Sequence, residues 1–224
     1  MTRNGPRPTL NLLGLQQWSL REKCLLVLAL TCGVMFAVLT AQAAQGEFLV
    51  LDAPVRVTLA EWQHPLLMST MRDVTTLGGM PWLLPCIGLV MFLVGEAYGT
   101  HALLLWSGHT LASTALFHSI RFLVGRPRPL SHAAGYPSGH TVAAIAFYGL
   151  LIYLLWPRQG SWRRGRIVIC GLLLLIIIGV GFSRIFLEKH WVSDVLGAYL
   201  AGGFYLAICA WLLERPQTRQ QEGI

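Results

Sequence analysis

Long apolar runs separated by short polar stretches organise this chain. A bilayer crossing takes about 20 mostly apolar residues in helical conformation. Six runs meet or approach that length: 24–44, 79–94, 103–123, 141–156, 167–186 and 195–213. The second and fourth are short, so their ends draw on weakly polar flanks. The third is the most polar, with Ser107, His109, Thr110, Ser113, Thr114 and His118, a set suited to hydrogen bonds between helices. The pattern predicts an all-α fold, an integral-membrane bundle of six transmembrane helices. It forms a single domain over 1–224, with short tails at about 1–22 and 214–224. Between the first two runs, residues 45–78 mix Glu47, Asp52, Arg56, Glu61, Trp62, Arg72 and Asp73 with apolar positions. An amphipathic helix on the membrane surface fits this stretch, and so does a folded loop.

Composition supports the membrane reading. The chain is 54% hydrophobic and 12% charged, against about 25% charged in a soluble domain. Its net charge of +7 would fit nucleic-acid binding in a soluble protein. Here the cations sort by membrane side instead, which excludes that partner. Ten of the 17 Lys and Arg residues share one side: Arg3, Arg7, Arg21 and Lys23, then Arg158, Arg163, Arg164 and Arg166, then Arg215 and Arg219. The other side holds Arg56, Arg72, Arg121, Arg126, Arg128, Arg184 and Lys189, five of which belong to the clusters described next. The positive-inside rule then makes both termini cytoplasmic and turns those clusters to the periplasm or exterior of an inner or plasma membrane. Ala41-Gln42-Ala43 has the form of a signal-peptidase site, but the preceding run is long enough to span, so an uncleaved helix is expected. The five cysteines, Cys24, Cys32, Cys86, Cys170 and Cys209, lie in apolar runs without metal-ligand spacing and read as buried small hydrophobes. Trp18, Trp156, Trp162, Trp191 and Trp211 flank the runs as an interfacial belt would.

Three clusters carry candidate chemistry. Pro137-Ser138-Gly139-His140 precedes the fourth run. Serine is a good N-cap, and a helix N-terminus with an adjacent glycine favours an anion. A plain turn and cap would also fit. Ser183-Arg184 closes the fifth run, followed by His190 and Asp194. In a helix, positions four apart share a face, so the carboxylate would orient the imidazole; a helix-start pair is the alternative. Arg121 and Arg128 end the third run, where Pro127 and Pro129 stop the helix and turn the chain so that both guanidiniums face one point; a positively charged loop on lipid headgroups is the alternative. Guanidinium suits bidentate phosphate contact. Arg126 reads as a headgroup or structural contact.

In order and spacing the clusters resemble the type 2 phosphatidic acid phosphatase (PAP2) superfamily of membrane lipid phosphatases. That signature is Lys-x6-Arg-Pro, Pro-Ser-Gly-His and Ser-Arg-x5-His-x3-Asp. This chain has Arg121-x6-Arg128-Pro129, Pro137-Ser138-Gly139-His140 and Ser183-Arg184-x5-His190-x3-Asp194. Arg121 departs from the family lysine, keeping the charge but changing donor geometry. The resemblance implies that His190, held by Asp194, attacks phosphorus to form a phosphohistidine, with His140 as acid and then base. It implies that Arg121, Arg128, Arg184 and the Ser138–Gly139 backbone bind the phosphate. No metal or other cofactor is expected, and a bell-shaped pH profile is.

The implied substrate is a membrane lipid phosphate. It is either a monoester such as phosphatidate or phosphatidylglycerophosphate, or a polyprenyl diphosphate such as undecaprenyl diphosphate. Phosphotransfer to a lipid acceptor is a related option. A transporter would place its ionisable groups at mid-bilayer, whereas these gather at span ends on one side. Vanadium-dependent haloperoxidases share the family's pocket but are soluble. Around the clusters, His118 reads as an interhelical hydrogen-bonding residue, with support of Arg121 as the alternative, Glu188 and Lys189 as a solvated pair, and His132 as an exposed loop residue. His64 and His101 carry no signal, and oligomeric state has none either.

Overall fold

Ser19 starts the first helix. Its hydroxyl accepts from the Glu22 N–H at 3.2 Å, and the Glu22 carboxylate accepts from the Ser19 N–H at 2.8 Å. This reciprocal cap sets the start of α1, Leu20–Ala44. Arg21 and Lys23, expected in the tail, therefore lie in its first turn. The structure, a computed structural model, describes residues 18–47, 49–98, 112–113, 115–156 and 162–221.

The stretch 45–78 is neither one surface helix nor a loop. It folds into α2, Asp52–Glu61, and α3, Pro65–Thr76. His64 caps α3 and Pro65 opens it, where a missing N–H costs nothing. After a turn at Leu77-Gly78-Gly79, α4 runs from Met80 to Tyr98. Most of the expected third span lies outside the described residues, as do His101, Ser107, His109, Thr110 and Thr114. Its end is α5, Ala115–Val124. Helix α6, Gly139–Leu155, contains a π-helical turn at Ile145–Gly149. Helices α7, Arg163–Phe186, and α8, Val192–Gln221, complete the order. Among the described residues, four apolar stretches are long enough to cross a membrane: Leu20–Ala44, Pro65–Phe92, Arg163–Phe186 and Val192–Leu212. Helix α8 continues past 213, so the expected C-terminal tail is largely helical.

The fold is mostly helical, as expected, with one small sheet. Gly125, at φ +62°, ends α5 and reverses the chain. A two-stranded antiparallel ribbon follows, β1 Pro127–Arg128 against β2 Ser131–Ala134. Proline removes a ladder donor and is tolerated at such an edge. His132 is exposed on β2, as expected.

Helix α1 packs along α8, so the first and last of the described helices close the bundle. Small residues let them approach: a Cβ on Gly33 would lie 3.0 Å from the Phe204 ring, and one on Gly203 would lie 3.3 Å from Cys32 Sγ. The main core joins Leu83 and Ile87 of α4 with Ile145, Phe147 and Leu150 of α6 and Ile177 and Val180 of α7. Val27, Leu30, Val34 and Val38 of α1, and Val168, Leu172 and Leu175 of α7, point outward as a lipid-facing surface would. The cysteine expectation fails in part. Only Cys170 is buried, and Cys24 is exposed, because an apolar helix face in lipid need not be covered by protein.

Candidate active site

The end of α5, the ribbon, the start of α6, the end of α7 and the start of α8 meet at one end of the helices. Arg121 Nη2 donates to the Pro137 carbonyl at 3.0 Å. Gly139 lies under that guanidinium, and any Cβ there would collide with it. The Ser138 N–H donates to the Asp194 carbonyl at 3.1 Å, tying α6 to α8. Ser138 is the N-cap residue of α6, but its hydroxyl does not cap the helix. It accepts from Thr141 Oγ1 at 3.0 Å instead. The first-turn amides therefore keep the unpaired character of a helix N-terminus.

His190 is not on a helix. The chain leaves α7 in a tight turn in which the N–H groups of Lys189 and His190 both reach the Arg184 carbonyl, at 3.0 and 3.2 Å. His190 Nδ1 lies 3.3 Å from Asp194 Oδ2, with the side chains 2% and 0% exposed. The pair forms across the N-terminal turn of α8 rather than along a helical face. Asp194 Oδ2 also accepts from the Trp191 N–H at 3.1 Å. One carboxylate thus both contacts the imidazole and accepts at the start of the helix. With Nδ1–H turned to Asp194, the other ring nitrogen carries the lone pair.

Arg121, Arg128 and Arg184 are mutually close enough to repel one another, and Arg184, His190, Arg121 and Arg128 all act on His140. Each of the three guanidiniums has a buried Nε with no hydrogen-bond partner among the described residues. None forms an ion pair with a carboxylate among those residues; Arg184 Nη1 donates only to Thr75 Oγ1, at 3.0 Å. Burying unpaired cations together is costly unless an anion joins them. Guanidiniums gathered in this way suit contact with a multiply charged anion such as phosphate. Burial pushes the His190 imidazole below its ordinary value. Asp194 pulls it upward, while Arg184 and Arg128 add to the downward push.

A family model described as the PAP2 superfamily matches residues 95–217, more than half of the chain. The chain belongs to the PAP2 superfamily. Phosphatidylglycerophosphatase B of Bacillus subtilis (strain 168) is 27% identical over 178 residues, covering 75% of this chain and 86% of that protein. The lipid A 1-phosphatase of Rhizobium etli is 26% identical over 209 residues, covering 79% and 83%. The crystal structure of a transmembrane PAP2-type phosphatidylglycerolphosphate phosphatase from Bacillus subtilis superposes with a TM-score of 0.67 at 24% identity. It covers 86% of this chain and 96% of that one, a likeness of fold.

Within this PAP2 site, several sequence expectations change. Arg126 takes the structural one of its two expected roles. It is 3% exposed and spans Asp52 and Asp194. Glu188 is not paired with Lys189: it accepts from Arg56 Nε at 2.8 Å, and Arg56 also sits over the Trp191 ring at 5.6 Å. Trp191 donates to the Pro127 carbonyl at 3.0 Å, so it clamps the ribbon rather than serving only as a belt residue. His118 is exposed on α5 and makes no hydrogen bond among the described residues, so it does not support Arg121. Asp52, Thr75 and Ser193 touch this machinery without belonging to any motif. Their only sequence signal was a carboxylate in the first loop and a serine beside Asp194.

Proposed function

We propose that the chain is an integral-membrane lipid phosphatase that removes a terminal phosphate through a histidine intermediate. The observation that carries the reading is the convergence of three carboxylate-free guanidiniums beside a buried, carboxylate-held histidine. His190 attacks phosphorus with its free ring nitrogen. A P–N bond forms, and the bond from phosphorus to the lipid oxygen breaks. His140 gives that oxygen a proton as the lipid leaves. It then takes a proton from water, which attacks the phosphohistidine. The P–N bond breaks, its electrons return to His190, and inorganic phosphate departs. Arg121, Arg128, Arg184 and the Ser138–Gly139 amides hold the equatorial oxygens and stabilise the transition-state charge. Substrate binding supplies the negative charge that makes proton uptake at His140 favourable among so many cations.

Six spans form one domain, a reading supported by the six apolar runs of the sequence. The site faces the periplasm or exterior, and both termini face the cytoplasm, a topology supported by the cation bias. A glycerophospholipid monoester such as phosphatidylglycerophosphate is the favoured substrate, supported by the name of the 27%-identical relative and its 86% coverage.

The test is phosphate release by the detergent-purified protein from phosphatidylglycerophosphate, phosphatidate and undecaprenyl diphosphate with EDTA present. Release is expected, fastest from the monoesters. In kcat/KM against pH, the acid limb should fall below about pH 6.5, the ordinary histidine value, since burial disfavours the cation of His190. Absence of release from all three by folded protein would overturn the reading.

A further inference from the structure

Two buried carboxylates share one buried guanidinium behind His190. Asp52, at the start of α2, is 1% exposed and far in sequence from every motif. Its Oδ1 accepts from the Ser193 N–H at 2.8 Å. Its Oδ2 accepts from Ser193 Oγ at 2.6 Å, Arg126 Nη2 at 3.0 Å and the Leu49 N–H at 3.0 Å. A carboxylate has about four lone-pair directions, so these partners fill it. Arg126 Nη1 in turn donates to Asp194 Oδ1 at 3.2 Å and to Ser193 Oγ. The path therefore runs Asp52, Arg126, Asp194, His190 without a gap.

We propose that Asp52 is a positioning residue for the reaction, acting through Arg126 and Ser193 to hold Asp194 and to set the negative field at His190. This rests on the reading of His190 as the nucleophile. Arg126 and Asp194 alone would sum to zero charge, leaving His190 beside a neutralised carboxylate. Asp52 restores a net charge of minus one to the trio. That charge matters because an imidazole attacking phosphorus becomes cationic. The other charged groups around it push the opposite way or lie at the rim: Arg184 from α7, Arg128 from β1, His140 from α6, and Glu188 and Lys189 from the turn before it. Fixing Arg126 in place needs only one carboxylate; two are explained by the field. Asp52 also anchors the backbone of Ser193, next to Asp194, so that the carboxylate cannot rotate away from the imidazole.

The test uses full-length protein in detergent, with wild-type phosphate release as the internal control. Removing a negative charge disfavours the His190 cation. Asp52→Asn is therefore expected to shift the acid limb of kcat/KM down by about half to one pH unit and to lower kcat about tenfold. KM should hold, because Arg121, Arg128 and Arg184 are untouched. Arg126→Gln leaves two carboxylates unopposed, so its limb should move up. The double variant restores the net charge, and its limb should return to the wild-type position. One folded single variant beside the double suffices. A purely structural role would lower the yield or Tm of folded enzyme but leave the limb in place. An unmoved limb, or singles shifting in the same direction, overturns the proposal. A wild-type protein that releases no phosphate overturns the underlying reading instead.

Discussion

His190→Ala should lower phosphate release by about 10⁴-fold or more in kcat, with the protein still folded in detergent. The size follows from the role: without the ring nitrogen no P–N bond forms, and the remaining cations bind a phosphate they cannot transfer. The fold should survive because the partners of Asp194 largely remain. Trp191 N–H and Arg126 still occupy its two oxygens, at 3.1 and 3.2 Å. Loss of one buried hydrogen bond costs about 1 kcal/mol. Trapping a radiolabelled phosphoenzyme in the wild type, and its loss in the variant, checks the chemistry apart from turnover. The alanine also leaves a ring-sized space, so added imidazole should restore part of the rate. A variant with more than a tenth of wild-type activity would remove His190 from the reaction.

Asp194→Asn should be nearly as damaging for a different reason. The carboxylate faces donors on both oxygens: Arg126 on one, His190 and Trp191 on the other. An amide offers one oxygen and one NH₂. If the oxygen stays with Arg126, the NH₂ meets Nδ1 and drives the His190 proton to the opposite nitrogen, removing the lone pair from the phosphate side. If the amide flips, its NH₂ confronts the guanidinium. The expected loss is about 10²- to 10⁴-fold in kcat with a modest change in KM. Breaking one side of a fully buried ion pair also costs stability, about 2–4 kcal/mol with Asp52 still in place. Thermal unfolding in detergent should show that drop, which separates this variant from His190→Ala.

The motif residues were legible because each cluster is local. Arg121 to Arg128, Ser138 to His140 and Arg184 to Asp194 each lie within about ten residues of chain, so their spacing alone makes them recognisable. Asp52 was not legible, since its partner Arg126 is 74 positions away and hydropathy does not record which loop carboxylate a buried arginine will meet. The same holds for Thr75 and Arg184. Helix starts set by capping were partly missed: apolar periodicity begins at Cys24, yet Ser19 and Glu22 extend α1 by a turn. The ribbon was missed because Pro127 and Pro129 signal where a helix stops, not that two residues will pair with Ser131–Ala134.

Closure of the bundle by the first and last of the described helices has a consequence for how the molecule is made. During membrane insertion α1 enters early and its long seam with α8 stays open until the final described helix arrives. Asp194 rides in on that helix, after Arg121, Arg128, His140, Arg184 and His190 have been synthesised. A chain ending before Val192 lacks Asp194, and with it the partner of the His190 ring, of the Ser138 N–H and of one side of Arg126. The helix that seals the bundle is thus also the one that delivers the last of these side chains.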